Sequence, residues 1–426
     1  MNEFLKYFWD NGNVSLFTAL CVLSVIFLCI HKKNKHSLFD YVGWYYVIGL
    51  IGSIVFYNVI KTNYMEIPAK DVNLSPLLYY ITCSLILMTP FLLIRGKFDV
   101  IGDWGFRRYF IYIAYLLFFL SIVPFCESLI KIPSLSSESL LASYEGQGGG
   151  ASFITHYCTQ AKNYIQFFAI PLFFYFYSRG GREKKYAYYC LFAFAVSIIQ
   201  SLIGGARGMM INQFNYAVVG YFLFHNTLND AAKRTIKKTS IIIFVIMLIG
   251  LVAITLARFS GPTLLKNSMP TTISLYVGQG PVEFSRGMWE STVRTEGDNS
   301  FSLVKIFTGH HSFKDNNERR LYWEKKQYIP NFIFYTLVGD IYSDLGRVNT
   351  VIFSCCCALF MFLLYKKLAL ERTISVQSSL FVILYYEWIT MGMMSNCYKT
   401  YYLQFFIFVT VAIIVFMWLC KKLVKG

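Results

Sequence analysis

The chain has 426 residues, of which 56% are apolar, 19% aromatic and only 15% charged. This composition is unusual for a soluble domain, and with apolar stretches of about 20 residues it is typical of a membrane protein. The formal net charge of +16 would indicate nucleic-acid binding in a soluble protein. Here most short basic runs flank apolar stretches, where the positive-inside rule accounts for them. We therefore expect an all-α polytopic membrane protein that does not bind nucleic acid.

Eleven apolar stretches are long enough to be predicted as transmembrane helices, and none of the 39 Lys and Arg residues lies inside them. In chain order they are about 13–30, 40–60, 75–94, 109–128, 163–178, 186–203, 209–226, 239–256, 348–365, 376–394 and 400–420. The first is expected to remain as a helix, because the basic run HKKNKH follows it, which is the reverse of a signal peptide's polarity. The predicted organisation is eight spans in residues 1–256, a large loop at 257–347, and three spans in residues 348–426.

The distribution of basic residues predicts the orientation of these spans. Alternate short loops, with the C-terminal residues, hold 21 Lys or Arg, whereas the short segments on the opposite side hold seven. Because Lys and Arg accumulate on the cytoplasmic side, the N-terminus is predicted outside and the C-terminus inside. The large loop, with eleven Lys or Arg, is then external, since long loops translocate largely regardless of charge.

The large external loop is too apolar for a disordered segment. Thr271–Phe284 and Phe301–Phe307 are predicted to be interfacial or packed segments broken by Gly and Pro. The apolar run Phe332–Val338 is too short to cross a bilayer, so residues 331–346 are predicted to form a short re-entrant or membrane-surface helix. Asp340 and Asp344 are four residues apart and would share one face of that helix.

Three short motifs resemble a known family: GGARG at Gly204–Gly208, YVGQGPVEF at Tyr276–Phe284 and YTLVGDIYSDLG at Tyr335–Gly346. With the span count and the single late external loop, they resemble the bacterial oligosaccharide repeat-unit polymerases, the Wzy-type O-antigen and capsule polymerases. The resemblance covers most of the chain. It implies a glycosyltransferase without a cofactor that polymerises undecaprenyl-diphosphate-linked repeat units at the periplasmic face of the inner membrane. The implied partners are the lipid-linked oligosaccharide donor and acceptor and membrane lipid, and a chain-length regulator protein is a further candidate.

The reaction implied by this resemblance releases a diphosphate, which needs cations at the outer surface. Arg207 precedes the seventh span and Arg347 precedes the ninth, so both are predicted at outward-facing helix N-termini, which favour anions. Arg also binds phosphate groups in a bidentate geometry that Lys lacks. The alternative for each Arg is an interfacial anchor or a contact with lipid head groups.

Other residues of the loop are weaker candidates for the substrate site. Arg286 follows the YVGQGPVEF motif that Tyr276 begins, and both are placed in the predicted substrate site. Arg258 directly follows the eighth span, where it could bind diphosphate or simply snorkel to the interface. Arg294 and the pair Arg319–Arg320 are predicted to be solvated loop charges.

Transfer to a sugar hydroxyl needs a general base. His310 and His311 are the first candidates because His titrates near neutral pH, and the O-antigen ligases, which the chain also resembles in outline, are understood to use a loop His with Arg and no metal. Glu283 and Asp340 are the next candidates, although Asp340 and Asp344 could instead cap a helix or form salt bridges. We expect no metal site, because no metal-binding spacing of His, Cys or Asp occurs in the loop.

Glu387 is the one carboxylate well inside a predicted span. A charged group there is costly unless it is neutral or paired, so it usually faces the interior of the helix bundle. We predict that Glu387 belongs to the substrate site. The alternative is that it forms a structural hydrogen-bond network with a Tyr or an Arg.

Two other functions remain open from the sequence. A ligase that joins finished glycan to a lipid core, or another polyprenyl-phosphate-dependent transferase, would use the same cations with a different acceptor. A flippase for lipid-linked oligosaccharide should line a central cavity with cations, and the absence of Lys and Arg from the predicted spans argues against it.

Overall fold

The computed structural model describes residues 10–60, 72–96, 98–102, 105–131, 152–204, 207–259, 269–310, 313, 316–329, 334–399 and 401–425. It is 83% helical. Among the described residues, seven helices are long and apolar enough to cross a membrane. The protein is therefore a helical membrane protein, as its composition indicates.

The helices and strands are numbered in chain order. The helices are α1 (Asn11–Lys33), α2 (Leu38–Ile60), α3 (Leu74–Met88), α4 (Arg107–Lys131), α5 (Phe153–Asn163), α6 (Ala169–Arg179), α7 (Lys184–Ile203), α8 (Arg207–Phe224), α9 (Asp230–Phe259), α10 (Met269–Arg286), α11 (Ser302–Phe307), α12 (Asn316–Gln327), α13 (Thr336–Glu371), α14 (Val376–Met391) and α15 (Tyr401–Lys425). Two short strands, β1 (Val100–Ile101) and β2 (Thr373–Ile374), pair in parallel.

The seven candidate spans lie on α1, α2, α3 with the 3₁₀ turn that follows it, α4, α7 with the 3₁₀ turn before it, α13 and α15. The other four predicted spans fall on α6, α8, α9 and α14. The total of eleven spans therefore stays a prediction.

The chain forms two compact units, each assembled from separate segments. The first unit consists of Met1–Arg95, Pro270–Leu370 and Tyr385–Phe405, and the second consists of Gly96–Met269, Glu371–Leu384 and Phe406–Gly426. The candidate site described below lies entirely within the first unit.

In the first unit, α10 packs directly against α2 through glycines. A Cβ atom on Gly278 would lie 2.1 Å from the backbone of Gly52, and the Ser53 hydroxyl donates to the Gly278 carbonyl at 2.9 Å. The helix continues without interruption through Gly280 and Pro281. The prediction of a segment broken by Gly and Pro is therefore wrong here: these residues permit close packing rather than ending the helix.

Within the segment predicted as a short re-entrant or membrane-surface helix, residues 336–346 form the first part of α13, and residues 331–333 lie outside the described residues. This helix begins at Thr336, whose N–H donates to the Met394 carbonyl at 2.8 Å, and its hydroxyl accepts from the Gly339 N–H at 3.0 Å. A kink at Gly346 (φ 79°, ψ −179°) separates the polar first part from the apolar part that follows. Glycine suits this position because side-chain-bearing residues rarely adopt such a conformation.

The second unit is packed mainly by aromatic rings. Phe110 of α4 contacts Tyr175 of α6 with ring centres 5.2 Å apart, and Phe118 lies 4.6 Å from Tyr189 of α7. Such ring pairs add to the burial of large apolar surfaces.

Candidate functional site

A cluster of buried charged groups occupies one region of the first unit. It combines the last turn of α10, the segment 287–301, the first part of α13 and the residues 392–399 that follow α14. We call the buried carboxylates Asp298, Asp340 and Asp344, with their partners, the aspartate cluster. Buried charges require partners because their desolvation is costly, so the contacts of each one indicate its role.

Asp340 is fully buried and has two partners from the segment after α14. Its Oδ1 lies 2.6 Å from Lys399 Nζ, and its Oδ2 accepts from the Asn396 N–H at 2.9 Å. This arrangement matches the salt bridge that the sequence left open as an alternative to a general base. Its structural consequence is to connect the first part of α13 to a segment far along the chain.

Asp344 organises the turn at residues 295–299. Its Oδ1 accepts from the Thr295 hydroxyl at 2.5 Å and from the N–H groups of Gly297 and Asn299 at 3.1 and 3.2 Å. Its Oδ2 is buried without a hydrogen-bond partner among the described residues. The sequence left open that Asp344 caps a helix. Its hydrogen-bond partners lie in a turn 45 to 49 residues earlier in the chain.

Asp298 and Arg319 bring α11 and α12 into the cluster. Asp298 contacts Lys305 Nζ at 2.5 Å and accepts from the Trp323 indole at 2.8 Å, while Arg319 donates to the Asp298 carbonyl at 2.7 Å. Arg319 is only 7% exposed, so the prediction that it is a solvated loop charge is wrong. Burial lowers the pKa of Arg319, and the nearby aspartates oppose that change.

Glu283 and Arg286 form a buried ion pair on α10. Arg286 Nε lies 2.8 Å from Glu283 Oε2, and both side chains are less than 10% exposed. Burial raises the pKa of Glu283, and the Arg286 guanidinium counteracts part of that rise. The residue predicted as a diphosphate ligand therefore faces the residue predicted as a base.

Glu387 belongs to a further polar network near the end of α14. It is 5% exposed and accepts a hydrogen bond from the Tyr398 hydroxyl. The neighbouring Trp388 indole donates to Asn396 Oδ1 at 3.1 Å. A structural network to a Tyr is the alternative that the sequence analysis gave for Glu387, and these contacts fit it.

Two arginines lie on aromatic faces beside the kink of α13. The Arg347 guanidinium carbon is 4.1 Å from the centre of the Trp289 ring, Trp289 stacks on Tyr342 at 5.5 Å and 19°, and the Arg294 guanidinium carbon is 4.8 Å from the Tyr342 ring. We call these four residues the Arg–aromatic stack. Hydrogen bonds hold it in place, since the Tyr342 hydroxyl donates to the Trp289 carbonyl at 2.6 Å and the Tyr79 hydroxyl donates to the Arg347 carbonyl at 2.6 Å.

The arginines of the stack differ from three other cations of the first unit in their partners. Arg286, Lys305 and Lys399 each face a carboxylate. Within the described parts of the chain, neither Arg294 nor Arg347 has a carboxylate at ion-pair distance. Two guanidinium groups, held by ring faces and by Tyr342, are thus available to an external anion.

No protein-family model, no curated protein and no solved structure matches this chain. The assignment of a role to this region therefore depends on its geometry.

The structure places two further predicted residues outside this stack. His310 is exposed after α11, with Nδ1 3.2 Å from the Thr308 hydroxyl. Tyr276 is half-buried on α10, and its ring lies 5.9 Å from that of Phe334. Neither residue belongs to the aspartate cluster.

Three predicted residues are not described at side-chain level. His311 lies outside the described residues. Arg207 and Arg258 are helical, in α8 and in the last turn of α9, but their side chains lie outside the described part of the structure.

Sequence reasoning underrated Arg294 and Trp289. Arg294 was predicted to be solvated, whereas it is only partly exposed and lies against Tyr342. Trp289 and Arg294 are close to each other in the sequence, but Tyr342, which both residues contact, lies about fifty residues later.

No group of three His, Cys, Asp or Glu that could hold a metal ion occurs among the described residues.

The arrangement presents two guanidinium groups and two aromatic ring faces close together. Arg347 lies exposed at the start of the apolar part of α13, where guanidinium groups can contact phosphate oxygens. Trp289 and Tyr342 offer ring surface of the kind on which sugar rings pack. The aspartate cluster adjoins the stack along the chain, because Thr295 follows Arg294 and Asp344 lies two residues after Tyr342.

Proposed function

We propose that the protein is a glycosyltransferase that polymerises undecaprenyl-diphosphate-linked oligosaccharide repeat units, for O-antigen, capsule or exopolysaccharide. Its place would be the bacterial inner membrane, with eleven spans, the N-terminus outside and the large loop in the periplasm. The observation that carries the proposal is the Arg–aromatic stack. Its two arginines have no carboxylate at ion-pair distance among the described residues, and they lie beside the start of the apolar part of α13.

The proposed reaction moves a glycan from a diphosphate to a sugar hydroxyl. The acceptor hydroxyl attacks the anomeric carbon of the donor, a new C–O bond forms, and the bond from that carbon to the diphosphate oxygen breaks. The diphosphate leaves as an anion, and the hydroxyl proton passes to a general base. Arg294 and Arg347 would stabilise the charge that develops on the leaving group, which needs no strong acid if that charge is neutralised.

The contacts of the candidate bases favour His over the carboxylates. Glu283 forms an ion pair with the buried Arg286, and Asp340 forms one with Lys399. The His310 side chain is exposed, and its Nδ1 lies 3.2 Å from the Thr308 hydroxyl rather than beside a cation. His310 and His311 therefore stay the first candidates for the proton acceptor.

The test is the glycan profile of cells that lack the gene. Loss of a polymerase leaves synthesis, flipping and ligation intact, so the surface glycolipid should carry a single repeat unit and no long ladder. Absence of this single-unit glycolipid would contradict the proposal. In liposomes, the purified protein should convert lipid-diphosphate repeat units into oligomers in EDTA, and strict Mg²⁺ dependence would contradict only the metal-free mechanism.

The same experiment separates the other candidate functions. A ligase deletion should accumulate polymer on the lipid diphosphate and leave the lipid core bare. A flippase deletion should leave unpolymerised units on the cytoplasmic side. The ligase is kept as the second candidate because it would use the same arginines with a different acceptor.

A further inference from the structure

The second unit contains a cavity of about 660 Å³ between α6, α7, α8 and α9. Its wall is mostly apolar and includes Phe174, Leu191, Phe214 and Ile243. This volume lies within the range of roughly 300–1,000 Å³ that is common for small-molecule sites. The proposed transfer reaction makes no use of this cavity.

The length of the cavity matches one leaflet of a bilayer. Along α7 its lining runs from Tyr188 to Ile198, which corresponds to about 15 Å at 1.5 Å per residue. The hydrocarbon core of a bilayer is about 30 Å thick. The cavity is thus long enough for a hydrocarbon chain that reaches from one interface to the bilayer centre.

The cavity is accessible from the side. Tyr188, Ile241 and Phe244 line it, yet they remain 54%, 55% and 45% exposed. In a membrane this exposed surface faces hydrocarbon, so a lipid chain can enter the cavity between α7 and α9 without crossing the protein.

One end of the cavity is positively charged. Lys237 lines it, and Lys184 Nζ lies 5.5 Å from the ring centre of Tyr177, another lining residue. The N-termini of α7 and α9 lie at this end of the lining, and helix N-termini carry partial positive charge. In the predicted orientation this is the cytoplasmic end.

The acidic residues near this end already have partners. Glu183 Oε1 lies 2.6 Å from Arg107 Nε, and Asp230 Oδ1 lies 3.6 Å from Lys233 Nζ. Within the described residues, Lys184 and Lys237 have no carboxylate at ion-pair distance. The two lysines therefore leave positive charge for an external anion.

We propose that this cavity holds one hydrocarbon chain of an anionic phospholipid, whose phosphate is bound by Lys184 and Lys237. The apolar wall and the leaflet-length lining fit the chain, and the unpaired lysines fit the head group. Basic pockets between transmembrane helices are known to bind anionic lipid head groups on this side of membranes. This site is independent of the proposed transferase reaction.

The test compares lipids on the purified full-length protein in neutral detergent. Thermal unfolding and native mass spectrometry are measured with phosphatidylglycerol, with phosphatidylcholine of the same chains, and with undecaprenyl phosphate. Phosphatidylglycerol should raise the unfolding temperature and remain bound, and phosphatidylcholine should do neither. Equal effects of both phospholipids, or tighter binding of undecaprenyl phosphate, would overturn the proposal.

Paired variants locate the site. Changing Lys184 and Lys237 together to Ala should weaken phosphatidylglycerol binding about thirtyfold, given a contribution typical of two lysines near an anionic lipid. The matched change of Lys185 and Lys238 to Ala should have little effect, and equal losses in both pairs would contradict the site.

A cavity-filling variant tests the chain. Ala217 lines the cavity, so Ala217→Phe should abolish the thermal shift, whereas Leu248→Phe on the exposed face of α9 should keep it. Full lipid binding by Ala217→Phe would overturn the proposal. If Ala217→Phe does not fold, the lysine variants decide the outcome.

Discussion

Each unit contains a lysine with little exposure to solvent, and the partners of the two lysines differ. In the first unit, Lys399 Nζ lies 2.6 Å from the carboxylate of Asp340. In the second unit, Lys162 is 1% exposed and donates to the Ser197 hydroxyl at 3.0 Å and to Gln200 Oε1 at 2.7 Å. Among the described residues no carboxylate lies at ion-pair distance from Lys162.

The two lysines therefore differ in their electrostatic surroundings. Lys399 faces the carboxylate of Asp340, whereas Lys162 faces neutral polar groups. Burial without a counter-ion disfavours the ammonium form and lowers the pKa of Lys162 to about 8. The arginines of the proposed reaction, Arg294 and Arg347, lie in the first unit.

The first prediction concerns the ion pair between Asp340 and Lys399. Asp340→Asn should destabilise the protein by about 3–5 kcal/mol, because Lys399 is left without a counter-ion in a mostly buried position. The double variant with Lys399→Met should recover part of this loss. Unfolding in detergent measures both, and a change below about 1 kcal/mol for Asp340→Asn would contradict the structural role.

The second prediction concerns Arg294 and Arg347, the two arginines of the Arg–aromatic stack. Changing Arg294 and Arg347 together to Ala should lower the rate of oligomer formation in liposomes by about a hundredfold or more, which corresponds to roughly 3 kcal/mol. Arg347→Lys should restore only part of the rate, because it keeps the charge but not the planar group that stacks on Trp289.

The control for this prediction is Lys325→Ala, on the exposed face of α12, which should leave the rate unchanged. The unfolding temperature of the double Arg variant should also change little. Normal oligomer formation by a folded double variant would show that the reaction does not need the two arginines of the stack.

The third prediction concerns pH. Below about pH 8, Lys162 is charged in both states and the folded state carries the cost of desolvation. Between about pH 8 and the ordinary Lys value of 10.5, the folded state loses this proton while the unfolded state keeps it. Stability should therefore rise with pH across this window, by about 2–3 kcal/mol in total.

Lys162→Met isolates this effect from the titration of other groups. The free energy of unfolding of the wild type, measured relative to this variant, should rise between pH 8 and pH 10. A flat difference for Lys162→Met would mean that Lys162 stays charged through a partner.

The fourth and smallest prediction compares two glycines with similar backbones, one in each unit. Gly346 has φ 79° and Gly180 has φ 70°, and a side chain at either position is strained. Each change to Ala should cost about 1–2 kcal/mol of stability. A Cβ atom on Gly346 would lie 3.3 Å from Arg294 Nε, whereas one on Gly180 would meet nothing within 4 Å.

Only Gly346→Ala should therefore also lower the rate of oligomer formation, since it displaces an arginine of the stack. Equal rates in the two variants, at equal loss of stability, would show that the position of Arg294 does not matter for the reaction.

Part of the site could be predicted from the sequence. The segments that carry the cluster, around Tyr276–Phe284 and Tyr335–Gly346, stand out by their short motifs and by acidic residues beside apolar runs. The ion pair between Glu283 and Arg286 could also be predicted, because residues three apart on a helix are neighbours. The pairing of Asp340 with Lys399 was not, since the two residues are 59 positions apart.

The sequence by itself determined the class of protein and where most of its helices lie, because hydropathy is summed residue by residue and the bilayer sets the length that a span needs. The predicted span at 109–128, for example, lies within α4, Arg107–Lys131. Only the tertiary structure decided which charges are neutralised and which arginines stay available. It also decided that α10 continues through Gly280 and Pro281, because that outcome depends on the backbone of α2 that packs against it. Such contacts join distant parts of the chain, and no local pattern of residues contains them.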